Sequence, residues 1–581
     1  MIDPVTLAVL QGRLEQIADE MDALLFRSAF NPTIAEAHDA AHGLYDSRTG
    51  DTLVQGKSGL PIFVAAMAFA VRAVIDRCRA GEAPVDGDVF LFNDPYEGGT
   101  HLSDFKLVRP FFWDGRLFCW LASVAHWHDV GGAVPGNYNP SATECFQEGI
   151  LVPPLRLVEG GRPRLEIVEL LAANSRTPIA ARGDLEGQLA ALDLGARRLA
   201  ELLEAYGPRT VEEAFAELRE RAARLVRAHV RELPDGRYRA VDHLDEDGVT
   251  AEPIRLELAL EVRGEELVFD FSGSAPACRG PLNISRATTI AGCYVALKHV
   301  FREVPANAGV LEPIRFVIPE GSLLDARPPA PVGGYTETVL RLIDLVFQAL
   351  AQAAPERTNG CAYGTINALS LAGPRPEGGR FVLFSFFGGG HGGHPEGDGL
   401  NHGNAPISTA TIPPVEILEA AFPVAFTRWA LRPDSGGAGR HRGGLGAVYE
   451  LELLAPEAEL FLFGDRGRFP PPGVLGGAAG APTRFTVFRA GGSEEPASRT
   501  KLTGIRLRCG DRVRLETPGG GGYGDPRDRS LEAIAHDLRQ GYVTAAAAEG
   551  LYGVVVGPDG RPSRRRDDGA AAGAASSEAR A

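Results

Sequence analysis

Glycine is the feature that most restricts how this chain can fold. It supplies 71 of the 581 residues, about 12% against the ~7% usual in globular proteins. The glycines follow no Gly-X-Y period, so a collagen-like triple helix is excluded. The hydrophobic share of 44% and the charged share of 23% are those of an ordinary folded protein. Many of the glycines fall in short strings, which we interpret as tight loops on a rigid mixed scaffold.

Charge and cysteine usage limit the classes of partner and compartment. The formal net charge is −16, and no broad basic footprint stands out, which argues against a nucleic-acid partner. The seven scattered cysteines include no CxxC pair and favour reduced thiols. The N-terminus lacks the pattern of a signal peptide, and the longest apolar run, 61–71, is too short to cross a bilayer. We therefore expect a cytoplasmic protein without a membrane span, with 61–71 forming a buried helix.

Hydrophobic periodicity predicts a mixture of helices and strands. Apolar side chains recur every three or four residues from Pro4 to about Arg27, after a potential N-cap at Asp3. The segment 184–232 predicts two more long helices. Beyond residue 376 the chain reads as short strands separated by glycine and proline.

Two glycine-rich strings resemble nucleotide-binding loops but lack an essential part. The segment 50–58 (GDTLVQGKS) has five residues between its glycines where a phosphate-binding loop needs four, and no apolar strand leads into it. The segment 388–393 (GGGHGG) satisfies GxGxxG, but the residues after it cannot start a good helix. The chain therefore carries no recognisable nucleotide-binding motif of its own.

Histidines and carboxylates gather on predicted loops and strand ends between residues 38 and 129. The segment 93–104 (NDPYEGGTHLSD) follows a predicted strand at 89–92, and 125–132 (AHWHDVGG) follows one at 118–124. Imidazole with carboxylate is a ligand set for zinc, manganese or iron. The candidate side chains are His38, Asp39, His101, Asp104, His126 and His128, with Asp129 as a ligand or a supporting partner. The alternative to a metal site is that these are ordinary loop residues.

A second group of potential ligands lies further along the chain. It consists of His391, His394, Asp398, His402 and Asn404. These residues fall in a glycine-rich stretch, so a solvated flexible loop is the preferred interpretation over a metal site.

Several strings, taken together and in order, resemble the hydantoinase B/oxoprolinase family, the B-type subunits of N-methylhydantoinases, 5-oxoprolinases and acetone or acetophenone carboxylases. The resemblance covers residues 1 to about 557. The strings that carry it are 93–104, 125–132, 174–178 with 183–184, 270–274 with 279–283, 431–440 (LRPDSGGAGR) and 517–526 (TPGGGGYGDP).

The resemblance implies a partner and a metal. Family B subunits work with an A-type, actin-like ATPase subunit that phosphorylates the substrate carbonyl, so ATP would act through that partner in a hetero-oligomer. Carried over position by position, the family's metal ligands fall on Asp39, His101, Asp104 and His126. The chain departs from the family pattern in having extra imidazoles at positions 38, 42 and 128.

The resulting hypothesis is a B subunit of an ATP-dependent enzyme that opens a cyclic amide such as a hydantoin, 5-oxoproline or another lactam. The metal would activate water, with Asp129 or His128 as its orienter or general base. The alternatives are a subunit of an ATP-dependent ketone carboxylase and a non-catalytic scaffold for the A subunit.

The expected fold class is α+β, a large mixed α/β subunit. We expect an N-terminal metal-site region with the long helical pair at 1–235, a central mixed α/β region at 236–375, a strand-rich, glycine-rich C-terminal region with final short helices at 376–557, and a disordered tail at 558–581.

Overall fold

The computed structural model describes residues 2–408 and 410–564, and the fold class is the expected α+β. The helices of the described residues are α1 (Pro4–Ser28), α2 (Pro32–Ala35), α3 (Ile62–Ala80), α4 (Leu165–Ala173), α5 (Pro178–Tyr206), α6 (Pro208–Arg231), α7 (Arg286–Val300), α8 (Tyr335–Ala353), α9 (Val415–Ala421), α10 (Leu531–Gln540) and α11 (Ala545–Tyr552).

The strands of the same residues are β1 (Ala40–Asp46), β2 (Thr52–Gln55), β3 (Val89–Phe92), β4 (Asp104–Trp113), β5 (Arg116–His126), β6 (Leu155–Glu159), β7 (Arg162–Pro163), β8 (Gly236–Leu244), β9 (Ile254–Arg263), β10 (Glu266–Asp270), β11 (Ile314–Val317), β12 (Ala368–Pro374), β13 (Arg380–Ser385), β14 (Val424–Leu431), β15 (Ala447–Leu453), β16 (Glu457–Phe463), β17 (Arg484–Arg489), β18 (Gly492–Glu494), β19 (Lys501–Arg508), β20 (Arg512–Glu516), β21 (Val554–Val556) and β22 (Pro562–Arg564).

The helices predicted from periodicity are confirmed. At the start of α1, the Asp3 carboxylate accepts hydrogen bonds from the backbone N–H groups of Val5 and Thr6, so it caps the helix as expected. Helices α5 and α6 meet at Gly207, which has a φ of 77°, a left-handed conformation that glycine adopts without strain. The apolar run at 61–71 lies in the buried helix α3.

A seven-stranded antiparallel sheet organises the N-terminal part of the chain. Its strand order is β2-β1-β5-β4-β3-β6-β7. Helices α1 and α5 cover one face and α3 covers the other, so β4 and β5 are buried along most of their length. The sheet therefore holds the ends of β4 and β5 in a dry environment. Strands β1 and β2 were not predicted; β2 falls inside the string at 50–58, which is part of a hairpin rather than a strand–loop–helix unit.

The remaining sheets build the central and C-terminal parts. One has the order β11-β10-β9-β8, a second β13-β12-β16-β19, and a third β14-β15-β20-β17-β18. Helix α7 packs between α3 and α8, and α8 packs in turn on β8 and β9. The largest hydrophobic cluster draws on residues from 37 to 463, so it joins the regions at 1–235, 236–375 and 376–557. Two further large clusters lie beside it, one within 7–218 and one within 369–515.

A buried ionic network fastens α8 to the C-terminal sheets. Arg341, at 0% exposure, pairs with Asp465 and, at 3.3 Å, with Asp242. Arg466 pairs with Asp242 at 3.1 Å, and the Lys501 Nζ lies 2.9 Å from an Asp465 oxygen. The charges come from β8, α8, β19 and the residues after β16, so each of them depends on the others for a partner.

The prediction that the glycine strings form tight loops is wrong for the strings at 388–393, 435–440 and 518–524, which are packed against one another and largely buried. We use "glycine bundle" for residues 360, 388–393, 436–446, 473–480 and 519–522, segments that lie side by side and are joined by backbone hydrogen bonds. The N–H groups of Gly390 and Gly393 donate to the carbonyls of Pro518 and Gly521, a three-residue repeat on both segments. Many backbone groups of the bundle thus pair with neighbouring segments, although a few bonds are internal, such as that from the Gly443 N–H to the Gly437 carbonyl.

Close packing explains why these positions are glycine. A Cβ on Gly390 would overlap the carbonyl oxygen of Gly444, and one on Gly520 would overlap that of His391. These are contacts between backbones, which cannot move aside as a flexible side chain can. The excess glycine of the sequence is therefore a packing requirement.

Substituting a bundle glycine is expected to destabilise the whole protein. For Gly390→Ala we expect a loss of at least about 3 kcal/mol, at the upper end of the cost of overpacking, seen as a lower midpoint of thermal unfolding. The matched control is Gly12→Ala in α1, where a Cβ meets no atom within 4 Å and the change should stabilise by about 0.5–1 kcal/mol. Equal midpoints for the two variants would contradict the packing argument.

The chain remains ordered past the predicted C-terminal boundary at 557. Strand β22 pairs with β21, and Arg564 is the register partner of Val554. The prediction of a disordered tail is therefore wrong for 558–564. The rest of that tail, 565–581, lies outside the described residues. Within the described ranges, no helix combines the length and apolar character that a membrane crossing needs.

Candidate metal centre

Three of the predicted ligands meet where β4 begins and β5 ends. Asp104 is the first residue of β4 and His126 is the last residue of β5, and the two are direct partners in the antiparallel register. His101 lies one turn before Asp104, whose N–H donates to the His101 carbonyl at 3.2 Å. The pairing of the two strands thus brings together side chains that are 22 or more positions apart.

The nitrogen and oxygen atoms of this cluster converge on one point. The distances are 3.2 Å from His101 Nε2 to Asp104 Oδ1, 3.4 Å from His126 Nδ1 to the same oxygen, and 3.2 Å between the two nitrogens. Ligands at 2.0–2.1 Å from a tetrahedral zinc ion are roughly 3.3 Å apart. His101, Asp104 and His126 are the one group of three or more potential ligands in the described part of the chain whose atoms come this close.

Burial and unsatisfied valences suit the cluster to a cation. The three residues are 3%, 1% and 2% exposed. Asp104 Oδ1, the converging oxygen, has no hydrogen-bond partner, whereas Asp104 Oδ2 accepts a hydrogen bond from Thr100 Oγ1. Burial raises the pKa of Asp104, but the adjacent His101 and His126 outweigh burial and hold the pKa well below its usual range. The carboxylate is therefore ionised, which is the form that binds a metal.

Asp39, the fourth predicted ligand, lies beside the cluster. Its backbone carbonyl accepts the N–H of His126 at 3.0 Å. Burial, with a further contribution from the charge of Asp104 and an opposing one from His126, raises the pKa of Asp39 to about 7. Its carboxyl thus interacts electrostatically with Asp104 and His126, but it is not among the three converging ligand groups.

Aromatic side chains from later parts of the chain close over the cluster. The ring of His101 lies 5.7 Å from that of Tyr138 and 4.9 Å from that of Tyr335, the first residue of α8. The ring of His126 stacks on Phe384 of β13 at 5.5 Å. The sequence reasoning missed these three residues. The one local signal is a glycine shortly before each of the two tyrosines, and glycine is common in any loop.

The proposed orienter and general base lie outside the converging group. The ring nitrogens of His128 contact the Val382 carbonyl at 2.9 Å and the Asn31 side-chain oxygen at 3.2 Å. The Asp129 carboxylate accepts hydrogen bonds from Arg176 and from the backbone N–H groups that follow it. Both side chains thus fasten the loop after β5, and no contact of either one reaches the cluster.

The extra imidazoles also have other partners. His38 stacks on Phe26 with ring centroids 4.2 Å apart. His42 Nδ1 lies 2.7 Å from the Asp22 carboxylate of α1, on the far side of β1. Neither contributes an atom to the converging group.

The second predicted group, 391–404, is not a solvated loop, so that interpretation is wrong. His391 Nε2 contacts the carbonyl of Asn404, and His402 Nε2 contacts the hydroxyl of Tyr449. Asp398 pairs with Arg529. These side chains are held within and around the glycine bundle, and they do not converge as a ligand set.

Part of the string 93–104 has a structural role, because the side chain of Asn93 anchors the loop. The Asn93 amide donates to the carbonyls of Leu102 and Ile150, and its oxygen accepts the N–H of Val152. Beneath it lies Lys106, 1% exposed, whose Nζ donates to the Asn93 carbonyl at 3.3 Å. Burial lowers the pKa of Lys106 to about 8. These contacts fix the loop that carries His101.

This combination of a layered α+β fold with a buried imidazole–carboxylate cluster agrees with the comparison to known proteins. A family model described as hydantoinase B/oxoprolinase matches residues 3–526. The chain belongs to the hydantoinase B/oxoprolinase family.

A relative and its solved structure agree with that membership over nearly the whole chain. The chain is 33% identical to the caprolactamase subunit beta of Pseudomonas jessenii, across 96% of this chain and 97% of that protein. The crystal structure of the ATP-dependent caprolactamase from Pseudomonas jessenii matches with a TM-score of 0.88 at 32% identity, covering 97% of this chain and 98% of that one. A nucleotide-free structure of acetone carboxylase shares the fold, with a TM-score of 0.88 at 20% identity, over 97% and 81% of the two chains.

Proposed function

We propose that this protein is the B subunit of an ATP-dependent enzyme that opens a cyclic amide, with a divalent metal held by His101, Asp104 and His126. The observation that carries the proposal is the convergence of two imidazole nitrogens and one carboxylate oxygen at 3.2–3.4 Å in a buried site. Zinc, manganese and iron all suit this donor set.

Asp39 fits as the fourth ligand. Its pKa of about 7 reports the cost of a buried carboxyl beside the Asp104 carboxylate. A divalent cation would compensate both negative charges, so binding would favour the ionised form of Asp39. A bound metal of this kind supplies a water of lowered pKa and polarises a substrate oxygen.

The surrounding side chains orient the proposed ligands and keep bulk water away from them. Thr100 donates to Asp104 Oδ2 and thereby leaves Oδ1 for the cation. Phe384 and Tyr335 pack against the two imidazole rings and exclude bulk water from them. In such a site the electrostatic interactions with a substrate are stronger than in water.

ATP is proposed to act through a separate A-type ATPase subunit. Neither glycine-rich string forms a phosphate cradle: 50–58 lies in a hairpin, and 388–393 is packed inside the glycine bundle. The related caprolactamase is named both as ATP-dependent and as having a subunit beta. An enzyme that opens an amide with ATP releases one ADP and one phosphate for each ring opened.

Co-expression with the product of the neighbouring gene tests the two-subunit assembly. We expect this chain to co-purify with an ATPase, and the complex, but neither chain alone, to release ADP in step with ring opening of a lactam or hydantoin. Full ring-opening activity of this chain by itself would contradict the proposal. Carboxylation of a ketone with bicarbonate, in place of ring opening, would identify the carboxylase alternative, and a metal-free but partner-bound chain would identify the scaffold.

A further inference from the structure

A cavity lies between the edge of the seven-stranded sheet and helix α7, apart from the metal centre. We call it the α7 cavity; its polar wall is formed by Gln55, Tyr294, Lys298 and Arg302. Its volume is about 390 Å³, a size typical of small-molecule sites. None of the three converging metal ligands lines it. The cavity is therefore a separate place where a small molecule could bind.

The charges on the wall of the α7 cavity are mainly positive. Lys57, Lys298 and Arg302 face a single carboxylate, that of Glu15, which lies 2.7 Å from the Lys57 Nζ and is thereby paired. Within residues 2–408 and 410–564, Lys298 and Arg302 form no ion pair, and their hydrogen bonds go to backbone carbonyl groups. Burial lowers the pKa of Lys298, and the nearby Glu303 opposes this effect only in part. The cavity thus carries two positive charges that a bound anion would compensate.

A neighbouring cavity shows that this excess of positive charge is not general. The second cavity has a volume of about 310 Å³ and shares Tyr294 and two other lining residues with the first. Its two arginines are both paired with carboxylates: Arg72 lies 3.0 Å from Asp51, and Arg219 lies 2.9 Å from the other oxygen of the same carboxylate. The unpaired cations are therefore a property of the α7 cavity itself.

Two buried side chains of the α7 cavity have polar atoms without a partner. Tyr294 is 2% exposed, and its hydroxyl makes no hydrogen bond. Gln55 is 5% exposed; its amide nitrogen donates to the Leu60 carbonyl at 3.3 Å, but its oxygen has no partner. An amide oxygen can only accept, whereas a tyrosine hydroxyl can also donate. A ligand with an N–H and a carbonyl would satisfy both atoms and recover the free energy that their isolation costs.

Helix α7 places the two kinds of polar group close to each other. Tyr294 and Lys298 are four residues apart on the helix, so they lie on the same face, about 5–6 Å apart at their Cβ atoms. Arg302 follows two residues after the helix ends at Val300. The remaining wall is largely apolar and includes Leu53, Pro61, Val295 and Val304. A ligand that reaches both groups therefore needs a short apolar chain between them.

We infer that the α7 cavity binds a small carboxylate that also carries a neutral amide group on a short apolar chain. The carboxylate is held by Lys298 and Arg302, in charge-assisted contacts. The amide N–H donates to Gln55 Oε1, and the amide carbonyl accepts the hydroxyl of Tyr294. An ammonium group in place of the amide would lack a counter-charge, because Glu15 is paired with Lys57. This binding goes beyond the proposed function, since it uses neither the metal nor the ATPase partner.

Three probes of equal chain length test the two halves of the site. They are 5-acetamidopentanoate, which has both groups, N-pentylacetamide, which lacks the carboxylate, and octanoate, which lacks the amide. In isothermal titration of the full chain, 5-acetamidopentanoate should bind with a Kd of about 1 mM or lower, a modest affinity for a ligand of this size. We expect N-pentylacetamide to bind at least about tenfold more weakly and octanoate at least about fivefold more weakly.

Two variants should each weaken the binding of one kind of probe. Arg302→Met removes an exposed cation and should weaken 5-acetamidopentanoate by about tenfold without affecting N-pentylacetamide. Tyr294→Phe removes a hydroxyl that has no partner in the chain, so the thermal midpoint should not fall; it should weaken 5-acetamidopentanoate by about threefold to tenfold and leave octanoate unchanged. The matched controls, Arg209→Met and Tyr206→Phe, lie outside the cavity and should bind as the wild type does.

A further titration separates the α7 cavity from the metal centre, because a carboxylate can also bind a metal ion. The double variant His101→Ala, Asp104→Ala should bind 5-acetamidopentanoate as tightly as the wild type. Loss of binding in that variant would place the probe at the metal centre and overturn the inference. In the wild type, the probe should also raise the midpoint of thermal unfolding, since a ligand that binds the folded state stabilises it.

Three other results would overturn the inference. The first is no binding of 5-acetamidopentanoate up to about 10 mM. The second is binding of N-pentylacetamide or octanoate as tight as that of 5-acetamidopentanoate, which would remove the carboxylate or the amide contact. The third is wild-type affinity in both Arg302→Met and Tyr294→Phe. None of these outcomes bears on the proposed function, because the titrations require neither ATP nor the partner subunit.

Discussion

The double substitution His101→Ala, Asp104→Ala should leave the protein folded but without its divalent metal. The two side chains supply two of the three converging ligand groups, so the remaining His126 and the proposed fourth ligand Asp39 are too few to hold the cation against competition from water. Activity should fall by more than the roughly 10–100-fold that loss of a supporting residue costs at a metal site. Metal content is measured by elemental analysis of the purified chain, and activity by ring opening in the complex with its partner.

A suitable control for that experiment is His229→Ala. The His229 ring stacks on Phe301 at the partly exposed side of α6, so its removal should change neither metal content nor activity. The metal hypothesis would be refuted by wild-type protein that stays metal-free after dialysis against zinc, manganese and iron(II). It would also be refuted by a double variant that keeps both its metal and its activity.

The largest loss of stability from a single side chain is expected for Arg341→Met. This substitution leaves Asp242 and Asp465 buried with fewer positive partners, because Arg341 contacts both. Breaking a buried ion pair by removing one member costs about 3–5 kcal/mol. The midpoint of thermal unfolding, followed by circular dichroism, should fall accordingly.

The control for the buried network is a surface pair of the same chemistry. Arg263 Nε lies 2.6 Å from Glu261 Oε1, and its side chain is 65% exposed. Arg263→Met should cost no more than about 1 kcal/mol. If both arginine variants unfolded at the same temperature, the conclusion that the buried ionic network stabilises the packing of α8 on the C-terminal sheets would be wrong.

The ligand cluster was predictable because it depends on local features. His101 and Asp104 are one turn apart, and His126 ends a strand whose apolar pattern is plain in the sequence. Two long neighbouring strands pair as a hairpin, so side chains at adjoining ends meet. His128 and Asp129 follow the end of the strand, where no periodicity fixes the direction of a side chain, and the structure turns both towards other partners.

The walls of the site were not predictable, for a physical reason. Tyr335 of α8 and Phe384 of β13 reach the cluster from segments that are distant in sequence, and Tyr138 reaches it from the irregular segment after β5. Only tertiary packing brings these rings to the cluster. The glycine excess was visible in the composition, but hydrogen bonds between separate segments leave no pattern within any one of them.

The glycine bundle has a consequence for the order in which the chain folds during synthesis. The N–H of Gly520 donates to the Gly444 carbonyl, and that of Gly521 to the carbonyl of Cys361, so the bundle cannot close until the ribosome has released segment 519–522. The seven-stranded sheet is built from residues 40–163 and can pair its strands much earlier, since contacts close in sequence form faster. We therefore expect His101, Asp104 and His126 to be in place on a nascent chain whose C-terminal half is still open, with closure of the bundle as the slow and final step.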